Sequence, residues 1–470
     1  MTATLLTDAI ERASLVRRIG VVRRLVGQAI EADGPDAAVG ELCAITVQRA
    51  SAPVVAEVIG VHAGRVTLMP YGSTEGLAAG AFVSKLGAAG EAQVGEALLG
   101  RVVDCFGRSL DGGPAPACRA QRALAGGRQN PLSRPPIERV LETGVRAIDG
   151  LLTLGRGQRV GIFAGSGVGK STLLGMIAKT VQADINVIAL IGERGREVRE
   201  FIERQLGDAG LARSVVVVAT SDEPALARVR ATKLALTVAE YFRDAGADVL
   251  LTMDSITRYA MARREIGLAA GEPPTARGYT PSVFAELPAL SERCGTASTG
   301  GSISALLTVL VEGDDFNEPI SDALRATLDG HLVLSRQLAH QGRFPAIDVL
   351  QSASRLFGEL STPAERELVG EARRVLALLE RNRQIVEIGA YQAGSNPALD
   401  HALRIAPALD AWLRQRVDEA ARRDEAYAAL RALLTEAAPG ATDAMAAQAN
   451  SVAQAHVAAT AAQQRMAARS

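Results

Sequence analysis

The sequence predicts a multidomain α/β protein in three parts: a small N-terminal β-barrel, a central parallel sheet wrapped by helices, and a C-terminal helical domain. Three observations carry this. Short β-rich runs punctuated by glycine fill residues 20–95, continuous apolar runs alternate with helical stretches over residues 96–358, and strand signals stop past Thr362. The 470 residues, 48% hydrophobic and 22% charged, exclude disorder as the dominant state. At roughly 100 to 200 residues per domain the length suggests two to four domains.

Taken in order, Leu6, Ile10 and Ala13 recur at helical spacing on a polar stretch, predicting a short amphipathic helix within residues 1–19. Such a helix covers either its own domain or a partner. Next come Cys43 to Val47, Val54 to Val61, Arg65 to Met69 and Ala81 to Val83, regularly spaced strands that suit a small barrel. The central strands are Arg159 to Phe163, Val187 to Ile191, Val215 to Ala219, Val249 to Met253, Ala305 to Leu310 and Leu332 to Leu334. Their unbroken apolar character means that both faces are buried, as in a parallel sheet covered by helices. In residues 359–436, Leu368, Ala372, Val375, Leu376 and Leu379 form one helical stripe, and Leu413, Val417, Ala420 and Ala421 a second. Trp412 reads as core. Residues 437–470, rich in Ala, Gln and Ser, read as a frayed helix or disordered tail.

Composition narrows the function. Lys and Arg total 51 against 52 for Asp and Glu, a net charge of −1, and aromatics are 3%, so neither a basic surface nor a stacking platform for nucleic acid is expected. Cys43, Cys105, Cys118 and Cys294 lie far apart, which indicates neither a disulfide framework nor a zinc site and fits a reducing cytosol. No apolar run approaches the ~18 residues of a membrane span. After Arg17-Arg18 the chain is broken by Arg23 and Arg24 and has no apolar export core. The expectation is a soluble, cytoplasmic protein.

The strongest chemical signal is Ala164-Gly165-Ser166-Gly167-Val168-Gly169-Lys170-Ser171, directly after an apolar strand and before the helical run Thr172 to Ala178. Glycines let successive backbone N–H groups turn inward onto phosphate oxygens, and the helix N-terminus adds partial positive charge. Lys170 would reach the β- and γ-phosphates of ATP, and the Ser171 hydroxyl would ligate Mg²⁺. A second element is Asp254, delivered at the end of Val249 to Met253, where a carboxylate can help hold Mg²⁺. A third, Gly192-Glu193-Arg194-Gly195, puts a carboxylate and a guanidinium at the same sheet edge, and the carboxylate can polarise a water for in-line attack on phosphorus.

With these residues the chain resembles the rotary-type hexameric ATPases related to the catalytic subunit of F1 ATP synthase, and most of all the ATPases of flagellar and type III secretion export. Matching stretches include Arg101-Val102-Val103-Asp104, Ser221-Asp222-Glu223-Pro224, Asp254-Ser255-Ile256-Thr257-Arg258-Tyr259, Gly278-Tyr279-Thr280-Pro281-Ser282, Leu328-Asp329-Gly330-His331 and Ser352-Ala353-Ser354-Arg355. The resemblance covers roughly residues 20 to 430 and implies a RecA-like core for the central domain. It implies that Gly165, Ser166, Gly167, Val168, Gly169, Lys170, Ser171 and Thr172 hold the phosphates. It further implies that Glu193 is the general base, that Arg194 and Arg258 lie near the γ-phosphate, that Arg355 is an arginine finger for the neighbouring subunit, and that Phe344 stacks on adenine. The second aromatic wall of the adenine pocket falls near Gly389. Because loop, base and finger sit in one chain, a homohexamer with a site at every interface is implied.

Three functions compete: an export ATPase, a catalytic subunit of an ATP synthase, and a ring-shaped RNA translocase. The balanced charge and missing aromatics oppose the translocase. The absence of an acidic Asp-Glu-Leu-Ser-Glu-Glu-Asp run in the C-terminal helices, together with Ala164 in the loop, opposes the synthase. The export reading implies a stator-like regulator dimer at the N-terminal helix, a central stalk protein, an export gate membrane protein and chaperone–substrate complexes as partners, at the cytoplasmic side of the inner membrane. Val66-Thr67-Leu68-Met69-Pro70-Tyr71-Gly72 with Gly76-Leu77 looks more like the flagellar version than the virulence one.

Overall fold

A computed structural model describes residues 18–46, 52–88, 90–127, 129–311, 313 and 315–436. The expected helix around Leu6, Ile10 and Ala13 and the tail 437–470 lie outside the described residues. Six strands close the first barrel: β1 (Gly20–Val26), β2 (Ala29–Asp33), β3 (Glu41–Ile45), β4 (Val54–His62), β5 (Arg65–Pro70) and β6 (Phe82–Ala88), in the order β1-β2-β5-β4-β3-β6. Val22, Ile30, Cys43, Ile45, Val58, Val66, Leu68 and Val83 point inward and are buried. Closure removes the sheet edges, with β1 pairing β6 at Gly20 and Val21.

A nine-stranded sheet forms the centre. Its main strands are β7 (Arg101–Val103), β8 (Arg159–Ala164), β9 (Ile185–Ile191), β10 (Ser214–Ala219), β11 (Asp248–Asp254), β12 (Ser302–Leu310), β13 (Gly330–Leu334) and β14 (Ile347–Ser354). They lie in the order β14-β13-β8-β12-β11-β9-β10-β7, with β14 antiparallel to β13 and the others along this path parallel. The short strand Gly295–Thr296 pairs antiparallel with β12. The reason for the unbroken apolar runs is visible in β9. Val187, Ala189 and Ile191 enter one core, while Ile188 and Leu190 enter the other. On the first face lie α2 (Ala225–Asp244), α3 (Ile256–Ala269) and α4 (Pro281–Glu292). On the second lie α1 (Lys170–Thr180) and the C-terminal helices.

Those helices are α5 (Pro363–Glu387), α6 (Pro397–Leu413) and α7 (Arg423–Glu436). Thr362 starts α5 with a capping box completed by Glu365. One expectation fails here: Leu413, Val417, Ala420 and Ala421 do not share a helix, because α6 ends at Leu413 and Val417 is exposed. The chain leaves the helix where Gln415 is held by backbone groups of Gly144, Arg146 and Phe344. Its N–H donates to the Phe344 carbonyl at 2.9 Å, its amide donates to the Gly144 carbonyl at 2.7 Å, and its side-chain oxygen accepts from Arg146 N–H at 2.7 Å.

Trp412 is buried, its indole ring over Gly150, where any Cβ would come within 2.8 Å of it. Trp412→Ala should therefore open a cavity between α6 and the helix Arg146–Leu151 and lower stability by about 3–5 kcal/mol. A denaturant titration checks this, and a loss under 1 kcal/mol would mean that the two layers do not depend on the ring. No helix among the described residues is long and apolar enough to cross a membrane.

Candidate active site

Parallel strands bring their C-terminal ends to one edge, and the sequence places chemistry there three times. Strand β8 ends at Ala164, the loop Gly165–Gly169 follows, and α1 begins at Lys170. Gly167 and Gly169 take φ of +78° and +86°, which let the loop curl, while buried Val168 ties it to the core. Strand β11 delivers Asp254, which is 3% exposed, and Thr308 Oγ1 on β12 donates to it at 2.8 Å. Past β9, Gly192 has φ of +73°, and a Cβ there would come within 2.9 Å of Arg258. Only glycine therefore lets the turn lie against the start of α3 and aim Glu193 inward.

The Lys170 ammonium joins these elements. It donates to Glu193 Oε1 at 3.2 Å and to Asp254 Oδ1. Burial disfavours its charged form, but the two carboxylates outweigh burial and hold its pKa above the usual lysine value. Burial, reinforced by the Asp254 charge and only partly countered by Lys170, pushes the Glu193 carboxyl up to about 7. A carboxyl so tuned sits near neutrality, where proton acceptance is most effective.

These groups border a cleft of about 730 Å³ lined by the loop Gly165–Gly169, Ser171, Thr172, Glu193, Arg194 and Arg258. Arg194 is largely exposed and pairs with Glu197 at 2.9 Å. The Ser255 hydroxyl caps α3 by accepting from the Arg258 N–H at 3.3 Å, which fixes where the Arg258 side chain starts. The exposed Phe344 ring lies over the phosphate loop, within 3.4 Å of where a Cβ on Gly169 would be. The arrangement combines a cradle of amides and a helix N-terminus for anions, a buried ammonium, and a carboxyl tuned near neutrality.

Arg355 is elsewhere. It follows β14, whose last residues pair with the first residues of β13, and it is exposed. Among the described residues it makes no ion pair, and its side chain reaches only the Arg325 carbonyl at 3.4 Å.

Comparison with known proteins names this combination. Residues 144–354 match the model of the ATP synthase alpha/beta family nucleotide-binding domain, residues 22–87 that family's beta-barrel domain, and residues 361–432 the type III secretion EscN ATPase C-terminal domain. The chain is 51% identical to the flagellum-specific ATP synthase of Bacillus subtilis, over 91% of this chain and 98% of that one. It is 48% identical to the type 3 secretion system ATPase of Xanthomonas euvesicatoria, over 86% and 91%. The chain belongs to the ATP synthase alpha/beta family. It is an ATPase of that family's flagellar and type III secretion branch. The assembled ATPase EscN of enteropathogenic E. coli superposes on it with a TM-score of 0.84 at 43% identity, covering 88% of this chain and all of that one. EscN in complex with its central stalk EscO gives 0.81 at 42%, with the same coverage.

Within this ATPase, the phosphate loop, Lys170, Glu193 and Asp254 converge, Arg194 and Arg258 flank the same cleft, and Phe344 overhangs the loop. Three neighbours were not foreseen: Thr308 on Asp254, Glu197 beside Arg194, and Arg336 at the cleft wall. Thr308 shares its buried strand with two other hydroxyls, Ser302 and Ser304, so the sequence carried no signal that would single it out. Gly389 follows α5 with φ of +69° and offers no ring for the second side of an adenine pocket.

Proposed function

We propose that this ATPase works as a homohexamer that hydrolyses ATP to energise protein export, releasing chaperones and delivering unfolded substrates at a flagellar-type or type III secretion gate. The observation that carries the reading is the division of labour across the sheet. One edge gathers Lys170, Glu193 and Asp254, while Arg355 stands exposed and unpaired by any described carboxylate at the other.

In this reading Gly165 to Thr172 cradle the triphosphate, Lys170 draws charge off its β- and γ-oxygens, and Phe344 stacks on adenine. Glu193 orients a water and accepts its proton as the water oxygen bonds to the γ-phosphorus and the bond to the ADP oxygen breaks. Arg194 and Arg258 lie beside the transferring group, and Arg355 of each subunit stabilises its neighbour's equatorial oxygens. The Ser171 hydroxyl and Asp254 carboxylate are hard oxygen donors of the sort Mg²⁺ takes, and the Lys170 contact on Asp254 leaves a second carboxylate oxygen to serve. Mg²⁺ held there would neutralise charge on the β- and γ-phosphates.

The complex of EscN with its central stalk supports a stalk protein as partner, and the amphipathic residues Leu6 and Ile10 support a regulator dimer at the N-terminus. No nucleic acid partner is proposed, and the site of action is the cytoplasmic face of the inner-membrane export apparatus. Deleting residues 2–18 should abolish co-purification of the regulator while ATP binding persists, and unchanged co-purification would refute the docking site. The flagellar system is favoured over a virulence system by the stretch Val66 to Gly72 with Gly76-Leu77. Deleting the gene should stop swimming and leave effector secretion intact, and the reverse result would reassign the protein.

A further inference from the structure

Strand β8 serves two ends of the molecule. Its C-terminal end runs into the phosphate loop, and the residue just before its N-terminal end, Gln158, lies beneath the turn that carries Arg355. Gln158 is 1% exposed. Its side-chain oxygen accepts from the Gly155 N–H at 2.8 Å. Its amide nitrogen donates to the Asp329 carbonyl at 3.1 Å and to Ser354 Oγ at 3.0 Å. That same Asp329 carbonyl accepts the Arg355 N–H at 3.0 Å, and the Ser354 hydroxyl donates to the Thr153 carbonyl at 2.9 Å. Next in sequence, Arg159 grips the Asp329 carboxylate, Nε to Oδ2 at 2.9 Å and a terminal nitrogen to Oδ1 at 3.0 Å, so the shared carbonyl cannot drift.

The backbone of Arg355 is thus anchored on a buried, fully bonded amide while its guanidinium is left exposed. We propose that Gln158 is a positioning residue for catalysis in the neighbouring subunit: it fixes the turn Ser354-Arg355 so that the finger enters the next pocket in register. A stabilising group misplaced by about 1 Å can cost on the order of 10²-fold in rate, so a rigid base matters at a residue that reaches into another molecule. The inference rests on the reading of Arg355 as a finger supplied in trans.

Gln158→Leu keeps the side-chain volume and removes all three bonds. The expected result for the assembled ring is a fall in kcat of about 10- to 100-fold with the KM for ATP nearly unchanged, since the subunit's own phosphate loop is intact. A damaged core or a damaged own pocket is separated from a misplaced finger by mixing. Gln158→Leu chains assembled with equal Lys170→Ala chains receive an intact finger from each Lys170→Ala neighbour, and roughly a quarter of wild-type turnover should return. The control is the same mixture made with Arg355→Ala. Recovery in the control but none with Gln158→Leu overturns the positioning role and leaves the finger standing. No recovery in either overturns both. If Gln158→Leu chains do not fold into rings, Ser354→Ala, which removes the acceptor beside the finger, is put through the same mixture. It should lose about 3- to 10-fold in kcat and recover in trans, and a loss that does not recover counts against the proposal.

Discussion

Glu193→Gln is expected to bind ATP with near-normal affinity and to turn over about 10²- to 10⁴-fold more slowly, whereas Lys170→Ala is expected to lose ATP binding itself. The difference follows from what each group does to the other's charge. Glutamine keeps the volume and can still hydrogen-bond to Lys170, but it accepts no proton from a water. Removing the Lys170 ammonium leaves Asp254 and Glu193, both largely buried, facing each other without a cation and facing an incoming polyphosphate with the same sign. Equilibrium binding of a fluorescent ATP analogue together with single-turnover hydrolysis separates the two outcomes. If Glu193→Gln hydrolysed ATP at near the wild-type rate, the base would have to be another group.

The core of the fold was legible because burial on both faces leaves an unmistakable trace. Val187 to Ile191 and Val215 to Ala219 are apolar at every position, and the structure extends those strands by one or two residues at their N-terminal ends. The barrel's opening hairpin was not read as strands. Val22 faces the core, but Arg23 and Arg24 follow it, and the register of β1 against β2 shifts between Val22 and Arg24, so the period-two alternation is broken where it would be sought. The edge strand β14 was missed for a related reason. Asp348, Gln351 and Ser352 break its apolar run, and its own register shifts opposite His331 and Val333. The second C-terminal stripe failed because helical spacing of apolar residues cannot report that a neighbour, Gln415, is hydrogen-bonded away from the helix.

At the cleft, residues joined by backbone logic were readable and those joined only by tertiary contact were not. A glycine-rich turn between strand and helix declares its geometry in sequence. A strand ending in Asp254 gains meaning only beside such a loop. By contrast, Thr308 reaches Asp254 from a strand 54 residues further along the chain, and no local pattern links the two. Gln158 is still less visible, since a polar residue before an apolar strand reads as an ordinary strand start.

Arg355→Ala should bind nucleotide normally, lose about 10³- to 10⁵-fold in turnover, and regain activity only in company. Within one chain the guanidinium is on the wrong side of the sheet. Gly330 pairs with both Ser354 and Val160, while Ala164 pairs with Leu334 at the other end of β13. At about 3.3 Å per residue these four steps separate the Arg355 turn from the phosphate loop by roughly 13 Å along the strands, before the loop itself is counted. This separation supports the proposal that Arg355 contributes to hydrolysis in another subunit and not in its own. If chains of Arg355→Ala and Lys170→Ala are assembled together in equal amounts, an interface works only when the pocket comes from the first and the finger from the second. Random placement makes that roughly one interface in four, so about a quarter of wild-type activity should appear from two parents that have almost none. Activity that stayed at the parental level across all mixing ratios would mean that Arg355 acts within its own fold, and a full wild-type rate in Arg355→Ala alone would remove it from the reaction.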